Sequence, residues 1–302
     1  MGIYVYAWHF CQWPRYLLDR KQYNNFYPTI SDHETARIQT RCIWQYSRQF
    51  QKEKRCRVNL AQIWRYPIKS HGSENLNSID IYSGKTLPLD RNWAVVHDQS
   101  DADGSSWVPC RNFSRVAKAP QLAAISTTWT SDNKLELRHP SIGTICIDPD
   151  FESSKFINWV SPLMPEGRAA SIKLVRSVQT GMTDTDFPSI SIGNLASHRE
   201  IEKKVGEKLS LLRWRCNLWI DDCKPWDEHK WIGKSLKIGD VTFKIKEEIV
   251  RCLATTANPM SGERDVDTLG TLEIMGQEDF TVAAIATSSG HIKSGDVVEV
   301  IS

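Results

Sequence analysis

The brevity of its apolar runs constrains this chain most. From Val58 onward they are short and close on proline, glycine, aspartate or serine. Asn59 to Tyr66 stops at Pro67. Ile79 to Tyr82 runs into Ser83-Gly84-Lys85. Asn92 to His97, Leu135 to Arg138 and Gly143 to Ile147 follow at close spacing. Runs of this kind make strands that bury one face, and many of them in succession predict a β-barrel or sandwich.

Helices are few. Asp150 to Val160 predicts a short one, with Phe156, Ile157 and Val160 on one face and Pro162 and Pro165 ending it. The segment from Gly167 to Ser171 is a natural boundary. Beyond it lie a strand at Ile172–Arg176, another at Ser189–Ile192, and a helix from about Leu195 to Leu209, where Ile201, Val205 and Leu209 make one apolar stripe. Asn194 suits its N-cap, and Ser197 with Glu200 has capping-box spacing. Leu211 to Ile220 reads as a strand carrying Arg213 and Arg215. Gly239-Asp240 and Gly295-Asp296 read as two hairpin turns, and the chain finishes on a strand from Val297 to Ile301.

Residues 1–58 are composed differently. They hold six of the eight tyrosines and ten Lys/Arg against four Asp/Glu, without sustained periodicity. This segment is expected to be a poorly ordered extension outside the folded unit. It has no charged start followed by an apolar core, so no signal peptide is expected. The organisation expected is an extension over 1–58, a first β region over 59–170 and a second over 171–302.

The whole chain carries a net charge of +2, too little to point to nucleic acid or to a membrane surface as partner. No apolar run approaches the 18 or so residues of a membrane-spanning helix. The eight cysteines, at 11, 42, 56, 110, 146, 216, 223 and 252, form no Cys-x-x-Cys pair. That pattern fits a reducing compartment, with the cytoplasm as default, and argues against a cysteine-built zinc or iron–sulfur site. The histidines show no metal-binding spacing, and no P-loop, dinucleotide fingerprint or GxSxG occurs.

The stretch Arg251 to Leu272 is composed unlike a core segment. Cys252 ends a β-like run, with Arg251 on one side and Thr255-Thr256 on the other, before Asn258-Pro259 and Ser261-Gly262. A neighbouring guanidinium favours thiolate, the form that ligates soft metals or attacks electrophiles. A buried structural cysteine is the competing reading. Lys69 with Ser70, Arg91 and Arg215 each sit at a turn or strand end, where cations and hydroxyls can converge on an anion such as a phosphate.

Together these motifs resemble a known family. Tyr66-Pro67-Ile68-Lys69-Ser70, Asp90-Arg91, Arg215-Cys216-Asn217-Leu218, Pro225-Trp226 with Trp231-Ile232-Gly233, and the Arg251-Cys252 stretch through Gly262 stand in the order seen in MOSC-domain proteins, typified by the amidoxime reducing components. The resemblance runs from about Asn59 to Ser302. It implies a mainly β fold with a few helices, a MOSC N-terminal β-barrel-like domain followed by a MOSC β-barrel. It also implies a molybdenum cofactor (Mo-molybdopterin) between them and, at the level of the domain alone, an association with pyridoxal phosphate.

By the same resemblance, Cys252 matches the protein ligand of molybdenum. Lys69, Ser70, Arg91, Ser191, Arg215, Asn217 and Arg251 match positions around the cofactor. The implied activity is reduction of N-hydroxylated or related N–O compounds, with a small-molecule substrate and an external electron donor of ferredoxin, flavodoxin or cytochrome b5/reductase type. A cofactor-binding or sulfur-carrier module without its own reductase activity is the alternative, and a barrel without cofactor is a third. Two departures stand out: Cys216 occupies the usual proline position, and Ser261 the usual threonine.

Overall fold

The computed structural model describes residues 58–301; the expected extension lies outside them, except for Val58. Among the described residues, seven strands precede the first α-helix: β1 (Asn59–Arg65), β2 (Glu74–Leu76), β3 (Ser78–Ile81), β4 (Trp93–His97), β5 (Ser126–Trp129), β6 (Leu135–His139) and β7 (Gly143–Ile147). Helix α1 (Ser153–Val160), strand β8 (Ser171–Arg176), strand β9 (Ile190–Asn194) and helix α2 (Leu195–Val205) follow. The rest comprises β10 (Leu218–Asp221), β11 (Ser235–Ile238), β12 (Val241–Val250), helix α3 (Thr268–Ile274), β13 (Asp279–Ala286), β14 (Gly290–Lys293) and β15 (Val298–Ile301). The fold is mainly β with few helices, as its short runs require.

Eight strands form one sheet in the order β15-β11-β12-β13-β9-β10-β1-β2. Every pairing in it is antiparallel except β9 with β10. The sheet curls back on itself. Val298 N donates to Val58 O at 2.8 Å, Leu60 N to Asp296 O at 2.9 Å, and Gly295 N to Leu60 O at 2.7 Å, so the segment entering β15 meets the start of β1. Closure removes the exposed edge. The interior is mostly aliphatic: Leu60, Ile63, Ile190, Ile192, Leu218, Ile220, Leu236, Ile245 and Val282 are all fully buried, with Phe243 among them.

A second core gathers around Trp93, Leu122, Leu135, Leu137, Phe156 and Leu174. It lies among the three-stranded sheet β5-β6-β7, the β4-β8 pair and α1. Pairing joins early and late parts of the chain throughout: β1 with β10, β3 with β14 and β4 with β8.

Local expectations hold best where a cap or a period is local. Asn194 caps α2 by accepting from Ala196 N, and the helix stops at Gly206 (φ +93°), three residues before the apolar stripe runs out at Leu209. Ser197 Oγ accepts instead from Trp226 N. Gly239-Asp240 joins β11 to β12 as a hairpin. Gly295-Asp296 does not make one, because β14 pairs with β3 and β15 with β11; this turn hooks onto β1 and closes the barrel.

The expected strand at 211–220 is wrong in its first half. Leu211–Trp214 is a 3-10 turn capped by Ser210, Arg215 is left-handed, and only Leu218–Asp221 is strand. A residue at φ +48° cannot continue a strand. Tertiary contacts hold Arg213 on Asp265 and Arg215 over Tyr66, overriding local β propensity. Strand β13 and helix α3, whose Asp267 cap accepts from Gly270 N, were not anticipated.

A cationic cleft with one exposed thiol

Tyr66 organises the site. Its ring is fully buried at the end of β1, and its hydroxyl donates to Cys216 O at 3.1 Å. The guanidinium carbons of Arg91 and Arg215 lie over the ring, 4.9 and 4.4 Å from its centroid. Arg91 Nη2 donates to Arg215 O at 2.7 Å, binding together positions 124 residues apart. Asp90, completely buried, accepts from Tyr66 N at 2.8 Å and pairs closely with Arg91.

Ser70, Arg91 and Arg215 all adopt left-handed backbone, at φ +65°, +53° and +48°. For a non-glycine residue each such conformation costs on the order of 1–3 kcal/mol, and it persists only where the surroundings over-determine it. The turn that places Ser70 runs into Gly72 (φ +78°), where a Cβ would sit 2.0 Å from Thr127 Cγ2. That glycine lets the chain pass close beneath Arg215, whose Nη2 donates to Gly72 O at 3.2 Å.

Lys69, Ser70, Arg91, Ser191, Arg215, Asn217, Arg251 and Cys252 line a single cleft. All eight residues singled out from the sequence therefore converge. Ser191 and Asn217 are locked together: Ser191 Oγ donates to Asn217 Oδ1 at 2.8 Å and accepts from Asn217 N at 2.9 Å. Lys69 Nζ donates to Met182 O at 2.7 Å and to Asp184 Oδ1 at 2.6 Å. A larger hollow of about 530 Å³, between Tyr82–Asn92 and Arg176–Thr180, contains none of the eight.

Cys252 stands exposed at the cleft, at the N-terminal end of a 3-10 turn, Leu253–Thr256. The loop behind it is tied down. Thr255 N donates to Cys252 O at 3.1 Å, Thr255 and Thr268 share a 2.6 Å hydroxyl contact, and Arg264 reaches Leu253 O, Thr256 Oγ1 and Ala117 O. Ser261 keeps the hydroxyl function at its position by accepting from Glu263 N at 3.2 Å.

Arg251 turns its guanidinium away from a direct hydrogen bond to the thiol. Nε donates to Phe280 O at 2.6 Å, Nη1 to Trp214 O at 2.9 Å, and Nη2 to Phe280 O and Thr281 Oγ1.

The electrostatics are unbalanced. Burial offset by the Asp90 carboxylate holds Arg91 above its usual pKa. Arg215 is pushed down to about 10 by burial and then by the neighbouring Arg91. Arg251 is also pushed down to about 10 by burial. Among the described residues neither Arg215 nor Arg251 makes a salt bridge; their hydrogen-bond partners are carbonyls and one hydroxyl. Two half-buried guanidiniums that Asp90 and Asp184 reach only through space, without a salt bridge, make a cleft suited to an anion.

Cys216 proves to be core. It is fully buried, packs with Trp214, Trp219, Leu272 and Phe280, and burial pushes its thiol up to about 11. Sequence reading passed over Asp184, which answers Lys69, and the pair Cys110–Arg115, which lines the same cleft with Arg115 Nη1 3.0 Å from Cys110 Sγ. No local signal marks them, since their place in the site depends on long-range packing.

The described residues thus combine a curled-back β-sheet, a cationic cleft and the exposed thiol of Cys252. The MOSC N-terminal beta barrel domain matches residues 57–164, and the MOSC domain matches 184–299, so this is a MOSC-domain protein. Mouse mitochondrial amidoxime-reducing component 1 is 22% identical over 232 residues, covering 68% of this chain and 67% of that protein. Bovine mitochondrial amidoxime reducing component 2 is 21% identical over 245 residues, covering 68% of each. Among solved structures, the YUAD protein of Bacillus subtilis superposes with a TM-score of 0.43 at 13% identity, covering 81% of this chain and 96% of that one.

Proposed function

We propose that this protein is a molybdenum-cofactor-dependent oxidoreductase acting on N-hydroxylated or related N–O compounds, with Cys252 as the protein ligand of the metal. One observation carries the reading: an exposed thiol shares a cleft with two half-buried guanidiniums, Arg215 and Arg251, that make no salt bridge among the described residues. The donor chemistry fits the group. A soft thiolate suits a metal already held by dithiolene sulfurs, and a phosphate-bearing pterin would supply the missing negative charge.

In this reading Lys69, Arg91 and Arg215 neutralise the cofactor's phosphate, while Ser70, Ser191 and Asn217 offer hydroxyl and amide hydrogen bonds. Arg251 braces the backbone behind Cys252. The bound cofactor would supply the two-electron redox chemistry, and an external donor its electrons. The protein holds its own groups fixed before binding, which spares reorganisation when charge shifts in the cleft.

The two β regions divided near Ala170 and a cytoplasmic location complete the proposal; among the described residues, no helix is long and apolar enough to cross a membrane. Metal and pterin quantification on wild type and Cys252→Ala, with turnover of an N-hydroxy substrate under a chemical reductant, tests the whole. The wild type should hold molybdenum and turn over, and the variant should lose turnover. Equal turnover in both would overturn it. The exposure of Cys252 also suits a sulfur carrier, and bound cofactor without turnover would favour that second reading.

A further inference from the structure

His229, Glu248 and Asp279 come from three separate places in the chain: a 3-10 turn at Asp227–Trp231, strand β12 and the first residue of β13. Each offers one potential ligand atom, and the three atoms lie within 4.8 Å of one another. His229 Nε2 stands 3.5 Å from Asp279 Oδ1, and both atoms are buried without a hydrogen-bond partner. His229 Nδ1 stands 3.8 Å from Glu248 Oε1, too far for a hydrogen bond.

Native structures rarely leave two buried polar atoms facing each other unsatisfied. Donors 3.5 Å apart fit a shared ion at bond lengths of about 2.0–2.1 Å, which sets the angle between them near ~115°, close to tetrahedral. One imidazole nitrogen with two carboxylates and no thiolate selects zinc-like divalent ions over both soft and purely oxygen-seeking ones. Glu248 is the most exposed of the three, at 40% of its side chain, and can adjust as the third ligand while water completes the shell.

We infer that His229, Glu248 and Asp279 form a binding site for a zinc-class divalent cation, separate from Cys252 and independent of the function proposed for it. The ion would cross-link the Asp227–Trp231 turn to the β12–β13 ladder. Asp279 pairs with Val250 in that ladder, and Arg251 N donates to Glu278 O at 3.2 Å, so the ion would stiffen the backbone leading into Cys252.

Zinc alone, titrated into the full-length protein against a chromophoric chelator, is the test, with Co²⁺ as a spectroscopic substitute. Wild type and Cys252→Ser should both bind one ion. Glu248→Gln should weaken binding by about tenfold or more, and His229→Gln with Asp279→Asn should abolish it. The cobalt form should show tetrahedral d–d bands without a thiolate charge-transfer band. Because Glu248 is largely exposed, its variant should fold, and circular dichroism on each variant separates lost binding from lost structure. Binding that disappears in Cys252→Ser and survives in Glu248→Gln would overturn the site. Absence of binding in a folded wild type would do the same.

Discussion

Arg91 and Arg215 share one aromatic platform: both guanidiniums rest over Tyr66, and Arg91 donates directly to the Arg215 carbonyl. Only Arg91 has a carboxylate, Asp90, beside it. Like charges held this close destabilise each other, and an anion bound beside them would relieve that cost.

Arg215→Gln should therefore lower cofactor content while changing the stability of cofactor-free protein by no more than about 1 kcal/mol. Arg215→Lys should restore charge but not the stacked, forked geometry, giving partial recovery. Pterin quantification beside a denaturation curve measures both.

Asp90→Asn should do the opposite, damaging the fold itself. The buried carboxylate serves both Tyr66 N and Arg91, and its loss leaves a desolvated guanidinium uncompensated. A destabilisation of about 3–5 kcal/mol is expected by urea denaturation.

Cys252→Ala should leave the melting temperature nearly unchanged, because the side chain is exposed and supports no packing. Alkylation at mildly alkaline pH should label Cys252 well before Cys216 or Cys223, whose thiols burial pushes up to about 11 and 12. Peptide mapping by mass spectrometry reads the order directly.

Stability should fall as pH drops from about 6.5 towards 4. Burial lowers His71 to about 4, so between those values the unfolded chain binds a proton that the folded chain refuses, and stability rises with pH across that window. The effect at its limit is about 3 kcal/mol. His198 adds the same sign: burial lowers its pKa, and its Nδ1 accepts from Trp214 Nε1 while Nε2 faces Leu209 O, an arrangement that requires the neutral ring. His71→Asn should flatten the pH dependence of the melting temperature.

Much of this molecule is legible in one dimension because its causes are local. Short apolar runs closed by turn residues mark β1, β4 and β8, Asn194 announces α2, and Gly239-Asp240 makes its hairpin, since each depends on neighbours within a turn or a strand pair. The candidate site residues were also legible, but through the order of their motifs and not through spacing, because the ligands of the proposed metal would arrive mostly with a cofactor. Tertiary structure alone decided three things. It turned Arg215 left-handed inside an expected strand, because stacking on Tyr66 outweighs local propensity. It used Gly295-Asp296 to close the barrel on β1 rather than to make a hairpin. It also drew His229, Glu248 and Asp279 within reach of a single ion, a coincidence that no spacing along the chain encodes, because it exists only once β12, β13 and the Asp227–Trp231 turn have packed.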